Sequence, residues 1–166
     1  MLMEVNIFVE IPKGSCQKYE FDENQKRIIL DRTLYSSVYF PFEYGFIEGT
    51  KGGDGDPLDA VLISSFPTFP GCIVPSRVIG ILNMEDEAGI DYKIIAVPQE
   101  KIDPRFKEIQ DISDLSEHCK AEIKEFFEVY KRLEPGKWVK IKDFDTKERA
   151  KDIINKARTD NNAKKI

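Results

Sequence analysis

The chain has 166 residues, a length that suits one domain with its own hydrophobic core. Hydrophobic residues make up 41% of it and charged residues 33%, which is ordinary for a globular protein. The 25 Lys and Arg residues against 30 Asp and Glu residues give a net charge of −5, and this acidic balance argues against a nucleic-acid or membrane-surface partner, since both require a basic face.

The first two thirds of the chain are predicted to form strands. Short β-branched or aromatic runs alternate with turns rich in Gly, Pro or acidic residues. The predicted strands span residues 5–11, 26–34, 37–47, 58–64, 73–82 and 92–97. Several short strands at this spacing favour a barrel or sandwich over a parallel sheet.

Helical patterns follow the strands. Ser116 is a suitable N-cap, and Pro135-Gly136 ends the predicted helix. Between them one face repeats the apolar residues Ile123, Phe126, Phe127, Tyr130 and Leu133. Residues 138–144 are predicted to form another strand and 147–158 an amphipathic helix, and we expect the polar tail, 159–166, to fray. Residues 1–166 are therefore predicted to form one domain, an α+β fold that is predominantly β.

Cysteine usage and the N-terminal residues bear on the compartment. The three cysteines, Cys16, Cys72 and Cys119, are widely spaced and odd in number, so we expect reduced thiols rather than a disulfide framework or a zinc cluster. The N-terminal residues lack a basic stretch followed by a long apolar run, and no apolar run approaches the length of a membrane span. We expect no signal peptide, no membrane partner and a cytoplasmic location.

Residues 51–60, with the sequence Lys-Gly-Gly-Asp-Gly-Asp-Pro-Leu-Asp-Ala, are the most informative segment. They place three carboxylates, Asp54, Asp56 and Asp59, within six positions. The glycines permit tight bends and the proline fixes one φ angle, so the acids are expected on a shaped loop rather than a helix. Carboxylates this close raise one another's pKa unless a cation neutralises them, and a hard divalent metal bound through oxygen would do so. The same residues also form ordinary turns that bind nothing.

The spacing of these acids does not fit three known types of functional loop. An EF-hand counted from Asp54 needs Gly at its sixth position and Glu at its twelfth, but those positions hold Asp59 and Ser65. An aspartyl-phosphate enzyme would place its nucleophile directly after an apolar strand, whereas residues 50–53 are Thr-Lys-Gly-Gly. A phosphate-binding P-loop needs a Gly-Lys-Ser/Thr ending, which the chain lacks.

Further acids and cations recur in the strand region. They include Glu10, Lys18 with Glu20, Asp31 with Arg32, and a second acidic turn from Asp86 to Lys93. Each alone is more often a solvated turn or a surface ion pair worth less than about 1 kcal/mol. Together such groups would bind a highly charged phosphate, with carboxylates holding several magnesium ions and Lys and Arg donating to the phosphate oxygens that the metals leave free.

Taken in order, these motifs closely resemble the soluble family I inorganic pyrophosphatases. The resemblance runs from about Glu4 to Phe144, and its most specific part is the Asp-Gly-Asp-Pro-x-Asp element at 54–59. The other matching segments are 9–12 (Val-Glu-Ile-Pro), 18–20 (Lys-Tyr-Glu), 31–32 (Asp-Arg), 41–46 (Pro-Phe-Glu-Tyr-Gly-Phe), 86–93 (Asp-Glu-Ala-Gly-Ile-Asp-Tyr-Lys), 126–131 (Phe-Phe-Glu-Val-Tyr-Lys) and 136–139 (Gly-Lys-Trp-Val). The resemblance implies a five-stranded OB-type barrel with flanking C-terminal helices, which agrees with the predicted strands.

The resemblance also implies a metal site. Asp54, Asp59 and Asp91 would hold the tightest magnesium ion, and Asp59 would bridge to a second one. Asp86 and Asp91 would serve ions that arrive with the substrate, and Glu10 and Glu20 would complete the shell directly or through water. The implied cofactor is Mg²⁺, several ions per site, with Mn²⁺ or another divalent ion as an alternative.

The implied reaction is hydrolysis of pyrophosphate to two orthophosphates by magnesium-activated water, without a covalent intermediate. Asp56 resembles the general base, and Tyr44 the tyrosine beside the nucleophile; Asp86 is counted with them as catalytic. The implied phosphate contacts are Lys18, Arg32, Tyr44, Lys93, Tyr130 and Lys131. The chain resembles the short prokaryotic branch of the family, which implies a homohexamer.

One position departs from the family, and two alternatives remain open. Phe40 stands where many relatives have a tyrosine, which removes one hydroxyl, so we expect a different water or hydrogen-bond network at this position. A nucleic-acid-binding OB module would instead stack bases on Tyr35, Tyr39 and Phe42, but it requires a basic groove. An inactive divalent-metal-binding relative would have lost its base or cations, and none is missing from the sequence.

Overall fold

The computed structural model describes residues 2–163, and the side chains of residues 2–158. Eight strands and two α-helices follow in chain order: β1 (Glu4–Ile11), β2 (Gln17–Asp22), β3 (Arg27–Thr33), β4 (Glu43–Ile47), β5 (Asp59–Leu62), β6 (Ile73–Asp86), β7 (Gly89–Pro98), α1 (Glu117–Val129), β8 (Val139–Thr146) and α2 (Lys147–Ala163). Two short 3₁₀ turns, Pro104–Phe106 and Ile112–Asp114, lie between β7 and α1. The fold is mostly β with two helices, as predicted.

Five strands close into a barrel. The strand order is β1-β4-β5-β7-β6, and β6 pairs back onto β1, which completes the ring. Strand β6 closes the ring because it pairs with β7 and also, over Ile73 to Arg77, with β1. The later part of β6, from Gly80 to Asp86, pairs with β8. The register shifts between Val78 and Gly80, where a bulge increases the local bend and twist of a strand. The predicted five-stranded OB-type barrel is confirmed.

Strands β2 and β3 form a separate two-stranded hairpin. Aromatic packing joins it to the barrel, with the Phe21 ring 4.9 Å from that of Phe8 and 6.3 Å from that of Phe46. The Phe21 N–H also donates to a carboxylate oxygen of Glu10 at 2.8 Å. The hairpin is therefore held to the barrel mainly by side chains.

The helices cover two apolar clusters of the core. Ala150 and Ile154 of α2 pack with barrel residues such as Ile7 and Ile94, whereas Phe126 and Phe127 of α1 pack on a second cluster. The Ser116 side chain accepts a hydrogen bond from the Cys119 N–H at 3.1 Å, so the predicted N-cap is confirmed. Among the described residues, no helix is both long and apolar enough to cross a membrane.

Several predicted boundaries were wrong. The strand predicted at 37–47 is only Glu43–Ile47, since Pro41 has no N–H to donate and the Phe40 backbone instead pairs with Gly14 and Ser15. Strands β6 and β7 each extend into the predicted acidic turn, which leaves only Glu87 and Ala88 between them.

The helix predicted to reach Pro135 ends at Val129, where tighter turns begin with an Arg132 N–H to Val129 carbonyl bond. Leu133, predicted on the apolar face, is consequently 64% exposed. Helix α2 continues to Ala163 rather than ending at Arg158, because its polar residues still permit helical hydrogen bonding. The remainder of the tail predicted to fray, 164–166, lies outside the described residues.

Gly45 allows β4 to pack directly on the backbone of β1. A Cβ atom built there would lie 1.9 Å from the carbonyl oxygen of Phe8, and backbone cannot move aside as a flexible side chain can. We therefore expect Gly45→Ala to lower the free energy of unfolding by at least about 3 kcal/mol, the upper end of overpacking costs. Chemical denaturation would measure this loss.

Gly53→Ala is the matched control. A Cβ at Gly53 has no heavy atom within 4 Å and its φ is not in the left-handed region, so the same substitution should change stability by less than about 0.5 kcal/mol. Equal stability of the two variants would contradict the close packing of β4 on β1.

Candidate active site

A cavity of about 680 Å³ lies between the barrel and the β2–β3 hairpin. Nine carboxylates and two lysines line it, an excess of seven negative charges. The carboxylates are Glu10, Glu20, Asp22, Glu23, Asp54, Asp56, Asp59, Asp86 and Asp91; the lysines are Lys18 and Lys93. This concentration of acid in one concave site favours the binding of cations or protons, because like charges at short range oppose ionisation.

The barrel strands bring the two acidic segments of the sequence together. Strands β5 and β7 are parallel, with Ala60 opposite Ile94, so Asp59 at the start of β5 comes beside Lys93 of β7. Asp86 and Asp91 lie on the hairpin formed by β6 and β7, and Asp91 pairs with Met84. The loop that carries Asp54 and Asp56 precedes β5, which places it at the same end of the barrel.

Lys93 is the central cation of the cavity. Its side chain is 3% exposed, and its Nζ donates to Asp59 at 2.7 Å, Asp91 at 2.8 Å and the Tyr44 hydroxyl at 2.9 Å. Burial alone would lower the pKa of Lys93, but attraction to Asp59, Tyr44 and Asp91 keeps that pKa well above its usual value. The ammonium is therefore charged, and it neutralises part of the acidic cluster.

Three carboxyl groups of the cavity are driven toward the neutral form. Burial raises the pKa of Glu10 to about 7, helped by Asp59 and opposed by the Phe21 N–H. Burial and the neighbouring Asp54 raise the pKa of Asp56. Burial also raises the pKa of Asp91, although Lys93 opposes it. A multivalent cation would relieve this repulsion, so the oxygen donors of the cavity fit a hard divalent metal.

The acidic side chains are spread around the cavity rather than gathered at one point. Within the part of the chain that the structure describes, no three acid, cysteine or histidine side chains already converge at metal-binding geometry. Asp59 and Asp91 instead point at Lys93. The carboxylates predicted as ligands, namely Asp54, Asp59, Asp86, Asp91, Glu10 and Glu20, all line the cavity, and their grouping into individual metal sites stays a prediction.

Tyr44 and Tyr130 also line the cavity, and their roles as phosphate contacts stay predictions. Burial, followed by the nearby Asp59, raises the pKa of Tyr44 well above its usual value, so its hydroxyl stays protonated. Burial likewise raises the pKa of Tyr130. Phe40, the departure from the family pattern, is 1% exposed, and its ring centroid is 5.7 Å from that of Tyr44. A phenylalanine suits this apolar position, because a buried hydroxyl there would need a partner.

Two predicted phosphate contacts stand just outside the cavity. Lys131 is 5% exposed and its Nζ donates to Asp86 at 2.9 Å and to Glu87 at 3.2 Å. Arg32 pairs with Asp31, whose carboxylate also contacts Lys18 at 3.5 Å. Neither Lys131 nor Arg32 is among the lining side chains. Lys131 is connected to the cavity through Asp86, and Arg32 through Asp31 and then Lys18.

Four acids near the cavity were missed from the sequence. Asp22 and Glu23 line it from the tip of the β2–β3 hairpin. They could have been predicted as site residues, because they belong to the same hairpin as Lys18. Glu87 binds both Lys131 and Lys137, which lowers its pKa to about 2 although burial opposes the shift. Glu134 contacts Arg32 and had no sequence signal beyond its place after Lys131.

Comparison with known proteins identifies the family. The family model described as inorganic pyrophosphatase matches residues 7–162. The inorganic pyrophosphatase of Nanoarchaeum equitans is 51% identical over 155 residues, which cover 93% of this chain and 96% of that protein. That of Helicobacter pylori strain 26695 is 48% identical, over 91% of this chain and 87% of that protein.

Solved structures agree with the sequence relatives. The structure of a Helicobacter pylori inorganic pyrophosphatase superposes with a TM-score of 0.94 at 45% identity, covering 96% of this chain and 94% of that one. The Thermus thermophilus inorganic pyrophosphatase gives a TM-score of 0.93 at 43% identity, covering 96% and 91% of the two chains. With the family model spanning nearly the whole chain and these relatives matching over almost their full length, the chain belongs to the inorganic pyrophosphatase family.

Proposed function

We propose that this chain hydrolyses inorganic pyrophosphate to two orthophosphates and so drives biosynthetic reactions that release pyrophosphate. The observation that carries the proposal is the meeting of Asp54, Asp56 and Asp59 with Asp91 and Lys93 in one acidic cavity of an inorganic pyrophosphatase fold. A highly charged anionic substrate can enter such a cavity only with cations that offset its acids.

The proposed cofactor is magnesium. Members of this family depend on divalent metals, and the all-oxygen donor set of the cavity suits a small hard ion. The residues that would hold the ions are Asp54, Asp59, Asp86 and Asp91, with Glu10 and Glu20 around them. When bound, the ions would supply charge neutralisation and acidify a water molecule.

The side chains of this chain would then perform distinct tasks. Asp56 would accept the proton of the attacking water, and its raised pKa makes it a stronger base than an ordinary aspartate. The hydroxyl of Tyr44, protonated and bonded to Lys93, would orient that water. Lys18, Arg32, Lys93, Tyr130 and Lys131 would donate to phosphate oxygens and stabilise the leaving group's charge.

One alternative, a nucleic-acid-binding module, is weakened by its own aromatic residues. Tyr35 and Tyr39 are 58% and 62% exposed, but Phe42 is 2% exposed and packs on Phe126 and Phe127. Phe42 cannot stack on a base, so the proposed stacking platform is incomplete.

The cytoplasmic location stays a prediction of the sequence.

Phosphate release is the direct test of the proposed activity. Purified protein should release orthophosphate from pyrophosphate when Mg²⁺ is present and should lose that activity in EDTA. Asp56→Asn should reduce kcat by about 10²–10⁴-fold, the range for loss of a general base, without changing the folded structure. Circular dichroism of the variant controls for misfolding. Absence of phosphate release by the wild-type protein with Mg²⁺ would refute the proposed function.

Substitution of Lys93 tests whether Asp59 and Asp91, which pair with this lysine, also bind metal ions. Without divalent ions, Lys93→Met should lower the free energy of unfolding by about 2–3 kcal/mol, less than for a fully buried pair because Asp59 is partly exposed. Millimolar Mg²⁺ should reduce that loss, because ions bound to the same carboxylates would replace the ammonium.

Lys107→Met is the control for Lys93→Met. Lys107 pairs with Glu100 at 3.5 Å, and both side chains are about 60% exposed, so its removal should cost less than about 0.5 kcal/mol with or without Mg²⁺. Denaturation curves in EDTA and in Mg²⁺ measure all four values. A loss at Lys93 that is the same in both conditions would argue against metal binding by Asp59 and Asp91.

We further propose that the chain assembles as a homohexamer, as its resemblance to the short prokaryotic branch implies. Exposed apolar side chains support contacts between copies, notably Phe66 at 69% and Phe69 at 64% exposed. Analytical ultracentrifugation should give six times the mass of one chain, and a double substitution, Phe66→Ser with Phe69→Ser, should lower that mass. A monomeric wild-type protein at micromolar concentration would exclude the assembly.

A further inference from the structure

Arg32 is held by carboxylates that belong to neither the proposed metal ligands nor the general base. Its Nη1 is hydrogen-bonded to Asp31, and its Nε lies 3.0 Å from an oxygen of Glu134. The Arg32 side chain is 24% exposed and that of Glu134 is 9% exposed, so water screens the contact only partly. Such a contact limits the directions in which the guanidinium can donate.

Glu134 belongs to the same turn as another proposed phosphate contact. The Glu134 N–H donates to the Lys131 carbonyl at 3.0 Å, and the Lys137 N–H donates to the Glu134 carbonyl at 3.2 Å. Lys131 itself reaches Asp86 at the edge of the cavity. Glu134 therefore joins two cations from distant parts of the chain, Arg32 through its side chain and Lys131 through its backbone.

The burial of Glu134 is costly for the folded protein. Among the described residues neither its Oε2 atom nor the Arg32 Nε has a hydrogen-bond partner, so the Arg32–Glu134 contact is an ion pair without hydrogen-bond geometry. A buried carboxylate oxygen without a donor typically costs stability rather than adding to it. A hydrophobic residue could pack at such a position without this penalty. The retained charge is therefore better explained by what it does to Arg32 than by stability.

The contact between Arg32 and Glu134 matters because Arg32 lies on the β2–β3 hairpin. Strands β2 and β3 have no ladder hydrogen bonds to the barrel strands, yet they carry Lys18 and Arg32. The Arg32–Glu134 pair connects the end of this hairpin to the turn after α1, away from the Phe21 contacts. The pair therefore adds to the contacts that place both cations of the hairpin, beside the buried Leu34 and the Ser36 hydroxyl, which donates to the Val129 carbonyl at 2.7 Å.

We infer that Glu134 is a positioning residue that holds the Arg32 guanidinium, and with it the β2–β3 hairpin, in place to bind the pyrophosphate substrate, an inference that rests on the proposed function. Glu134 does not touch substrate. It acts through Arg32, so its contribution disappears when Arg32 is absent.

A double-mutant cycle tests the inference. KM and kcat for pyrophosphate are measured at saturating Mg²⁺ for wild type, Glu134→Ala, Arg32→Ala and the double variant. Glu134→Ala should raise KM about tenfold, within the coupling range for residues in contact, while kcat changes less than about threefold. The double variant should match Arg32→Ala alone. Glu134→Gln, which keeps the shape and one acceptor oxygen, should give a KM between those of wild type and Glu134→Ala.

The controls separate positioning from general structural loss. Glu125→Gln removes an exposed carboxylate from α1 and should leave both constants unchanged. Thermal midpoints show whether each variant is folded. If Glu134→Ala does not fold, Glu134→Gln replaces it in the comparison. An unchanged or lowered KM in the Glu134 variants, or an effect that persists in the Arg32→Ala background, overturns the inference. If the wild-type protein itself is inactive in this assay, the result refutes the proposed function and not the role of Glu134.

Discussion

The charge balance around Lys93 is the constraint on which the rest of the site depends. A nearly buried ammonium has three oxygen partners, two of them carboxylates. Without it, Asp59 and Asp91 would repel each other, and the pairing of β5 with β7 at this end of the barrel would be weakened. The lysine therefore helps a closed barrel to carry an acidic cavity at one end.

The barrel provides the rigidity that this arrangement requires. Strand β6 is long enough to pair with β1 at one end and β8 at the other, and its bulge bends it around the core. Gly45 and Gly80 sit where backbone or the side chain of Ile112 leaves no room for a Cβ atom. Acids on such strands are held in defined directions, whereas the cations of the β2–β3 hairpin depend on side-chain contacts for their placement.

The sequence predicted the parts of the site that short motifs encode. The loop with Asp54, Asp56 and Asp59 and the second acidic segment with Asp86 and Asp91 were identified, and all five residues line one cavity. The meeting of Lys93 with Asp59 could not be predicted, because it depends on the register of two parallel strands far apart in the chain. The end of α1 at Val129 was also missed, because apolar residues continue at helical spacing to Leu133 although the helix has already ended.

Strand β8 lies outside the closed ring, where its only described partner strand is β6. An unpaired edge of this kind can recruit a strand from another chain and start aggregation. Lys140, Lys142, Asp143 and Asp145 interrupt the apolar residues of β8, and adding a further strand beside them would bring charges into a place without solvent. Among the described strands of the six-stranded sheet, β8 is the one with an open edge, and its charged residues protect that edge from pairing with another chain.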